Sequence, residues 1–319
     1  MGSRLRVLFV GKNASQGLKA SDASSIATIA RKLGIEIAAS INENPASVIC
    51  VDFKVQDIRI LRKAKRRNLP TALVMFEPEV VIPQHGSKHL DWLFQRVIRV
   101  GRPNQDIILE WPQTWRQLEI SKNRINSVVL VNADKWSFIS GQYYWLRIAL
   151  ATSNSRVNVY GHGWDRSSAV RMAHRLFELC RTIACGRIPN FKGLKFVFSR
   201  PRNYLGVVED KVKAMSKYKV ALVIENSAEL ITEKLFDAWF AGCIPIYVGP
   251  KLETFGLPEN LVVCSEDKVS DINLAIEKAL AMNHDEFLVE LGDFLEKARD
   301  SGWNSDASLR KILRAALPN

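Results

Sequence analysis

Short, nearly unbroken apolar runs punctuate the chain. They alternate with longer stretches in which apolar residues recur three or four positions apart. Runs of the first kind suit strands buried on both faces, and the second spacing suits helices laid on such a sheet. Strands are predicted at Arg4 to Val10, Ser47 to Phe53, Thr71 to Phe76 and Gln95 to Val100. Helices are predicted at Asp22 to Leu33, closed by Gly34, at Gln56 to Arg67 and at Ser87 to Phe94. Trp111-Pro112 interrupts the alternation and marks a linker, so the first domain is expected to span 1–118.

A second alternating set fills 119–300. Its strands are expected at Ser127 to Val131, Val157 to Tyr160, Lys219 to Ile224, Cys243 to Val248 and Leu261 to Cys264. Its helices are expected at Gly141 to Thr152, Ser167 to Ile183, Val207 to Tyr218, Ser270 to Met282 and Asp285 to Asp300. A last helix, Ala307 to Leu317, lies in 301–319 and is expected to pack back on the first domain. The pattern predicts an α/β protein of two Rossmann-like domains facing a cleft.

The most informative stretch is Tyr218 to Pro250, a strand–helix–strand unit whose ligands belong beyond the C-terminal ends of its strands. Glu225, Asn226 and Ser227 follow the first strand, and Gly242 stands where a left-handed C-cap belongs. Thr232 can act as N-cap and Glu233 suits the positive end of the helix, but Lys234 in the first turn opposes the dipole. Either an anion sits in front of this helix, or Glu233 and Lys234 form an exposed pair of little consequence.

Three features of this stretch resemble the donor-binding signature of the α1,3-fucosyltransferases, glycosyltransferase family ten. They are the triplets Glu225-Asn226-Ser227 and Thr232-Glu233-Lys234, and the ending AG-x-x-P-x-x-x-GP from Ala241 to Pro250. Tyr218-Lys219 is similar to the Tyr-Lys that opens that signature. The resemblance implies a GT-B-type architecture and a GDP-fucose donor, with no cofactor besides. It implies a donor site including Tyr218, Glu225, Asn226, Ser227, Glu233 and Lys234. Trp136 and Tyr143 to Arg147 resemble the segment whose arginine meets the donor phosphates, which makes Arg147 a second candidate, and Val157 to Gly161 resembles a V-x-V-Y-G turn that places Gly161 near the donor. Leu230 and Ile231 stand where the family often has an aromatic residue, so one donor contact is expected to be missing.

Inverting transfer needs a base for the acceptor hydroxyl. Phe76-Glu77-Pro78 is similar to the F-E-S-P-like segment that carries the family's carboxylate, which implies Glu77 as the catalytic residue, with Glu79 two positions on. An oligosaccharide or glycolipid acceptor follows from the same resemblance. Other readings stay open: a transferase using another GDP-sugar, or a non-catalytic basic protein that binds glycan or nucleic acid.

Composition narrows this only in part. The 319 residues carry a net charge of +12, which favours anionic partners without choosing among them. The helix from Gln56 to Arg67 gathers Arg59, Arg62, Lys63, Lys65, Arg66 and Arg67, a solvated face or a peripheral contact with anionic membrane. Nucleic acid is not an expected partner. No run of about eighteen apolar residues occurs. The five cysteines show no metal spacing, and Cys50, Cys243 and Cys264 lie in apolar runs where cysteine is a small hydrophobe. Eukaryotic members of the family carry an anchor and lumenal disulfides, so this pattern suggests a bacterial cytoplasmic form, with any membrane contact peripheral, at the inner surface. The loop Gly11 to Gly17 lacks the ending of a phosphate loop, His85 and His89 are expected to be exposed, and His162 has no assigned role.

There is no D-x-D motif, so no metal ligand is assigned. Transfer from GDP-fucose is therefore expected to survive EDTA, with cationic side chains and a helix N-terminus meeting the pyrophosphate. Complete loss with EDTA, restored by manganese, would overturn this reading.

Overall fold

The computed structural model describes residues 5–11, 26–87, 90–102, 118, 121, 123–300 and 305–318. Expectations for most of the Gly11 to Gly17 loop, for His89 and for Trp111-Pro112 lie outside these residues. The chain divides into two units, one of 1–114 with 302–319 and one of 115–301.

In the first unit the elements are β1 (Arg6–Val10), α1 (Ile26–Lys32), β2 (Glu36–Ala38), β3 (Ser47–Val51), α2 (Ile58–Arg66), β4 (Thr71–Met75), α3 (Leu90–Leu93) and β5 (Arg96–Arg99). The strands form one sheet, ordered β2-β1-β3-β4-β5, with its neighbouring strands parallel. All five residues of β3 and of β4 are buried, which is why these segments read as unbroken apolar runs. Strand β2 escaped the sequence pattern because three residues on a sheet edge leave no period to read. Chain connections run in opposite directions from β1 and β3, so the gap between them is this sheet's switch point. Gly11 leaves β1 there with φ near 111°, and a side chain on it would strike the Val51 carbonyl.

The second unit contains β6 (Ile125–Val131), α4 (Tyr144–Ser153), β7 (Val157–Tyr160), α5 (Ser168–Ala184), β8 (Asn203–Tyr204), α6 (Lys211–Met215) and β9 (Tyr218–Ile224). It continues with α7 (Glu233–Phe240), β10 (Ile244–Val248), β11 (Val263–Cys264), α8 (Val269–Ala281) and α9 (His284–Asp300). Its sheet runs β11-β10-β9-β6-β7-β8, again with neighbouring strands parallel. Counted from β6 this is the 3-2-1-4-5-6 order of a dinucleotide-type Rossmann fold, with its switch point between β6 and β9. The helix expected over Val207 to Tyr218 shrinks to α6, because Asp210 caps it at Lys213 N and the chain must enter β9 at Tyr218. Cys264 is exposed, since β11 is a two-residue edge strand, whereas Cys50 and Cys243 are buried.

Helix α5 is held to the end of β6 by its polar side. Asp134 accepts from Arg171 Nε at 2.7 Å and pairs with Arg175, and all three side chains are at most 4% exposed. Arg171 also donates to the carbonyls of Phe198 and Ser199. A buried carboxylate between two arginines is tolerated because nearly every lone pair and proton finds a partner.

After α9 the chain returns to the first unit as α10 (Ser305–Ala316). Leu309, Ile312, Leu313 and Ala316 join Val7, Phe9, Ile29 and Val74 in one buried cluster. Arg96 on β5 donates to the carbonyls of Ala315 and Leu317, covering the C-terminal end of this helix. At about 1.5–3 kcal/mol per buried large side chain, this helix is part of the core and not an appendage.

Candidate functional site

The switch point of the second sheet is closed by one side chain. Arg147, in the first turn of α4, is 1% exposed. Its guanidinium donates to the Ile224 carbonyl from Nε at 3.1 Å and from Nη2, to Asn226 Oδ1 at 3.1 Å and to Asn132 Oδ1 at 3.0 Å. The pairing of β6 with β9 reaches Val129–Ala221, so the arginine ties together two strand ends beyond their own pairing. Burial pulls its pKa down, and Tyr144, Glu225 and Glu233 act against that. Arg147 was expected to meet donor phosphates directly. In this structure its guanidinium donates to the protein's own acceptors, the Ile224 carbonyl, Asn226 and Asn132.

The segment before α4 follows the same strand end. Gln142 bridges to Ser227, Tyr143 N donates to the Asn226 carbonyl at 3.1 Å, and Gln142 Oε1 accepts from Tyr144 N and Trp145 N as a cap on α4. Gln142 Nε2 and, on β10, Tyr247 Oη are buried side-chain polar atoms with no partner. Such orphans are uncommon in folded proteins and are natural points of contact for a ligand.

Lys234 left two readings open, an anion in front of α7 or an exposed pair with Glu233; in the structure it lies beside the buried Glu225. Glu225 is 0% exposed and accepts from Thr232 N at 2.9 Å and Thr232 Oγ1 at 2.6 Å. Lys234 Nζ reaches Thr232 Oγ1 at 2.8 Å and Glu225 at 3.5 Å. Thr232 occupies the N-cap position without a side-chain cap bond, because its hydroxyl is committed to Glu225. The Lys234 side chain remains 22% exposed while its Nζ reaches Glu225. Glu233 is pushed up by burial but drawn down further by Lys234, Lys211 and its own backbone N–H, to about 2. Lys211 Nζ lies 3.4 Å from it.

Gly161 ends β7 with φ near 141°, and a Cβ there would lie 2.1 Å from the Asn132 carbonyl. Only glycine lets the ends of β6 and β7 approach this closely. The structure thus gathers Glu225, Asn226, Ser227, Lys234 and Arg147 at one switch point, with Glu233 in the adjoining helix turn and Gly161 on the neighbouring strand end. It does not bring Tyr218 there. Tyr218 begins β9, about 20 Å from Glu225 by strand rise, and is buried with its hydroxyl 3.4 Å from that of Tyr160. Asn132, Gln142 and Tyr247 were not anticipated. For Asn132 the signal was a polar residue directly after an apolar run, as with Glu225.

In the first unit, Glu77 and Glu79 follow β4, both partly exposed. Asp52 ends β3 with φ near 53°, is buried, and accepts from Phe76 N at 2.9 Å and Glu77 N at 3.0 Å. His85 was expected to be exposed but is buried. Its Nε2 accepts from Phe53 N at 3.1 Å and its Nδ1–H donates to the Glu77 carbonyl at 2.7 Å. An acceptor at Nε2 fixes the proton on Nδ1. The backbone of Glu77 is therefore gripped from both sides. Among the described residues, no group of three or more His, Cys, Asp or Glu is arranged to hold a metal ion.

No established family model matches the chain. A stretch of 51 residues is 47% identical to a fucosyltransferase-like protein of Arabidopsis thaliana, and it covers 15% of this chain and 10% of that protein. Among solved structures, an α1,3-fucosyltransferase aligns over 91% of this chain and 83% of its own, at 14% identity and a TM-score of 0.51. Anabaena HepE, in complex with UDP and glucose, aligns over 98% and 99%, at 10% identity and a TM-score of 0.58. Two Rossmann-like units of parallel strands and these neighbours define the fold as that of the GT-B glycosyltransferases.

Removing the Arg147 guanidinium leaves buried acceptors at Ile224 and Asn226, and a partly buried one at Asn132, unmatched, which should cost about 3 kcal/mol or more. Arg147→Ala is expected to lower the denaturant midpoint accordingly. Wild-type stability in that variant would mean the strand ends do not depend on the arginine.

Proposed function

We propose that the chain is an inverting glycosyltransferase that moves L-fucose from GDP-fucose to a hydroxyl of an oligosaccharide or glycolipid. The observation that carries this reading is the placement of two triplets that resemble the fucosyltransferase signature, Glu225-Asn226-Ser227 and Thr232-Glu233-Lys234. They form a hydrogen-bonded cluster at the switch point of the second sheet, where α/β folds bind nucleotides. The partial match to a fucosyltransferase-like protein and the fold shared with an α1,3-fucosyltransferase support the same reading. In this scheme Lys234 and the N-terminus of α7 meet the pyrophosphate, while Arg147 positions Asn226. Glu233, held ionised, accepts from sugar or ribose hydroxyls. Glu77 takes the proton from the acceptor as it attacks the anomeric carbon, and GDP leaves.

A second reading, transfer from a UDP-sugar, is favoured by one observation: HepE, solved with UDP and glucose, has the higher TM-score of the two neighbours. Calorimetry with GDP, GDP-fucose, GDP-mannose and UDP separates the two. Binding of GDP and GDP-fucose is expected, and preference for UDP would favour the second reading. Lys234→Ala removes a charge-assisted contact of about 1.5–3 kcal/mol and should weaken GDP roughly tenfold to a hundredfold. Unchanged affinity would take Lys234 out of the donor site.

The base assignment has its own test. Glu77→Gln keeps the side chain's shape and removes the basic oxygen, so the rate should fall about 10²–10⁴-fold with GDP affinity unchanged. Glu79→Gln should keep most activity. The reverse pattern would move the base two residues along, and full activity in both would remove this segment from the chemistry.

A further inference from the structure

Helix α5 is inside out. Its polar side chains Arg171, Arg175 and Thr182 face the protein, as the Asp134 pairing requires. At 100° per residue the opposite arc carries Val170, Met172, Leu176, Phe177 and Ile183, interleaved with Ala173, Cys180 and Ala184, and it contains no charged residue. Those five large side chains are all more than half exposed, Phe177 at 63%. The loop after the helix continues the pattern with Ile188 at 89% and with exposed Phe191 and Leu194. Together they expose on the order of 500 Å² or more of apolar surface, at the upper end of what one patch on a monomer shows.

Charge selects the occupant. Between Arg166 and Arg202 the chain has nine Lys and Arg residues and one acidic residue, Glu178; Arg171 and Arg175 are spent on Asp134 inside the fold, and the surface that remains is still basic. Arg166, Lys195, Arg200 and Arg202 are exposed. Two copies meeting through this face would bring like charges together, and a neutral apolar partner would leave the basic side chains unmatched. An apolar face within a strongly cationic segment matches an anionic bilayer, which takes up exposed apolar side chains at the acyl boundary and pairs lysine and arginine with headgroups.

We propose that the outward arc of α5 and the loop from Ile188 to Arg202 form a docking surface for an anionic lipid membrane. The surface lies in the second unit, and the basic face of α2 lies in the first. The inference stands independently of the donor sugar and of Glu77.

The test is co-sedimentation of the full chain with vesicles of phosphatidylcholine, alone or with 30 mol% phosphatidylglycerol (roughly one anionic lipid in three). Binding is expected only to the anionic vesicles, and to weaken at high salt. The double variant L176E/F177E should lose about a hundredfold in partitioning, since it replaces two inserting apolar groups with charges. A Ser variant at Arg59, Arg62, Lys63 and Arg66 on α2 should bind like wild type. Circular dichroism melts check that both variants fold, and residues this exposed leave the core unchanged. Binding carried by α2 instead, undiminished binding of L176E/F177E, or no binding by wild type overturns the proposal. Self-association abolished by L176E/F177E without vesicle binding would overturn it too, and assign the face to a second copy.

Discussion

Five N–H donors in a rigid plane make Arg147 the fixed point of the second unit. A parallel Rossmann sheet is weakest where its connections diverge, because the strand ends there have no crossover between them to hold them. That same place must remain open if a nucleotide is to enter. One buried guanidinium resolves the conflict: it ties β6 to β9 through Asn132, Ile224 and Asn226 from the inner side. The Gln142–Ser227 bridge, the cap on α4 and the position of Glu225 relative to α7 all depend on that strand end staying where it is.

The first unit holds its candidate base by a different means. Asp52 takes a left-handed backbone conformation and receives two backbone N–H groups, and His85 grips the next carbonyl. Both act on main chain, so the position of Glu77 is set by its backbone. Protonation of His85 would place two N–H groups against each other at Phe53, so this grip suits a neutral ring.

How far the sequence could be read depends on the range of each interaction. The β9–α7–β10 unit was legible because its signals are local: an apolar run, a polar triplet at its end, helical spacing and a left-handed glycine. The inward turn of Arg147 was not, because its acceptors are backbone and amide oxygens far along the chain, and an arginine on a helix reads equally well as surface. Pattern left Lys234 open between an anion in front of the helix and an exposed pair, and it cannot say that Glu225, nine residues earlier, would lie beside the ammonium. Tyr218 shared a strand with the site residues, and only strand geometry puts it at the wrong end. Periodicity likewise located α5 but not its orientation, since spacing gives the width of a polar stripe and is silent on whether it faces water or a buried carboxylate.

The return of α10 to the first unit bears on how the protein is made. Leu309, Ile312 and Leu313 complete a core whose other members were synthesised as early as Val7 and Phe9. A ribosome must therefore produce the whole second unit before the first can close its hydrophobic cluster. Domains usually finish in the order in which they emerge. Here the unit that starts first finishes last, and its half-built sheet waits with an apolar face uncovered through most of translation.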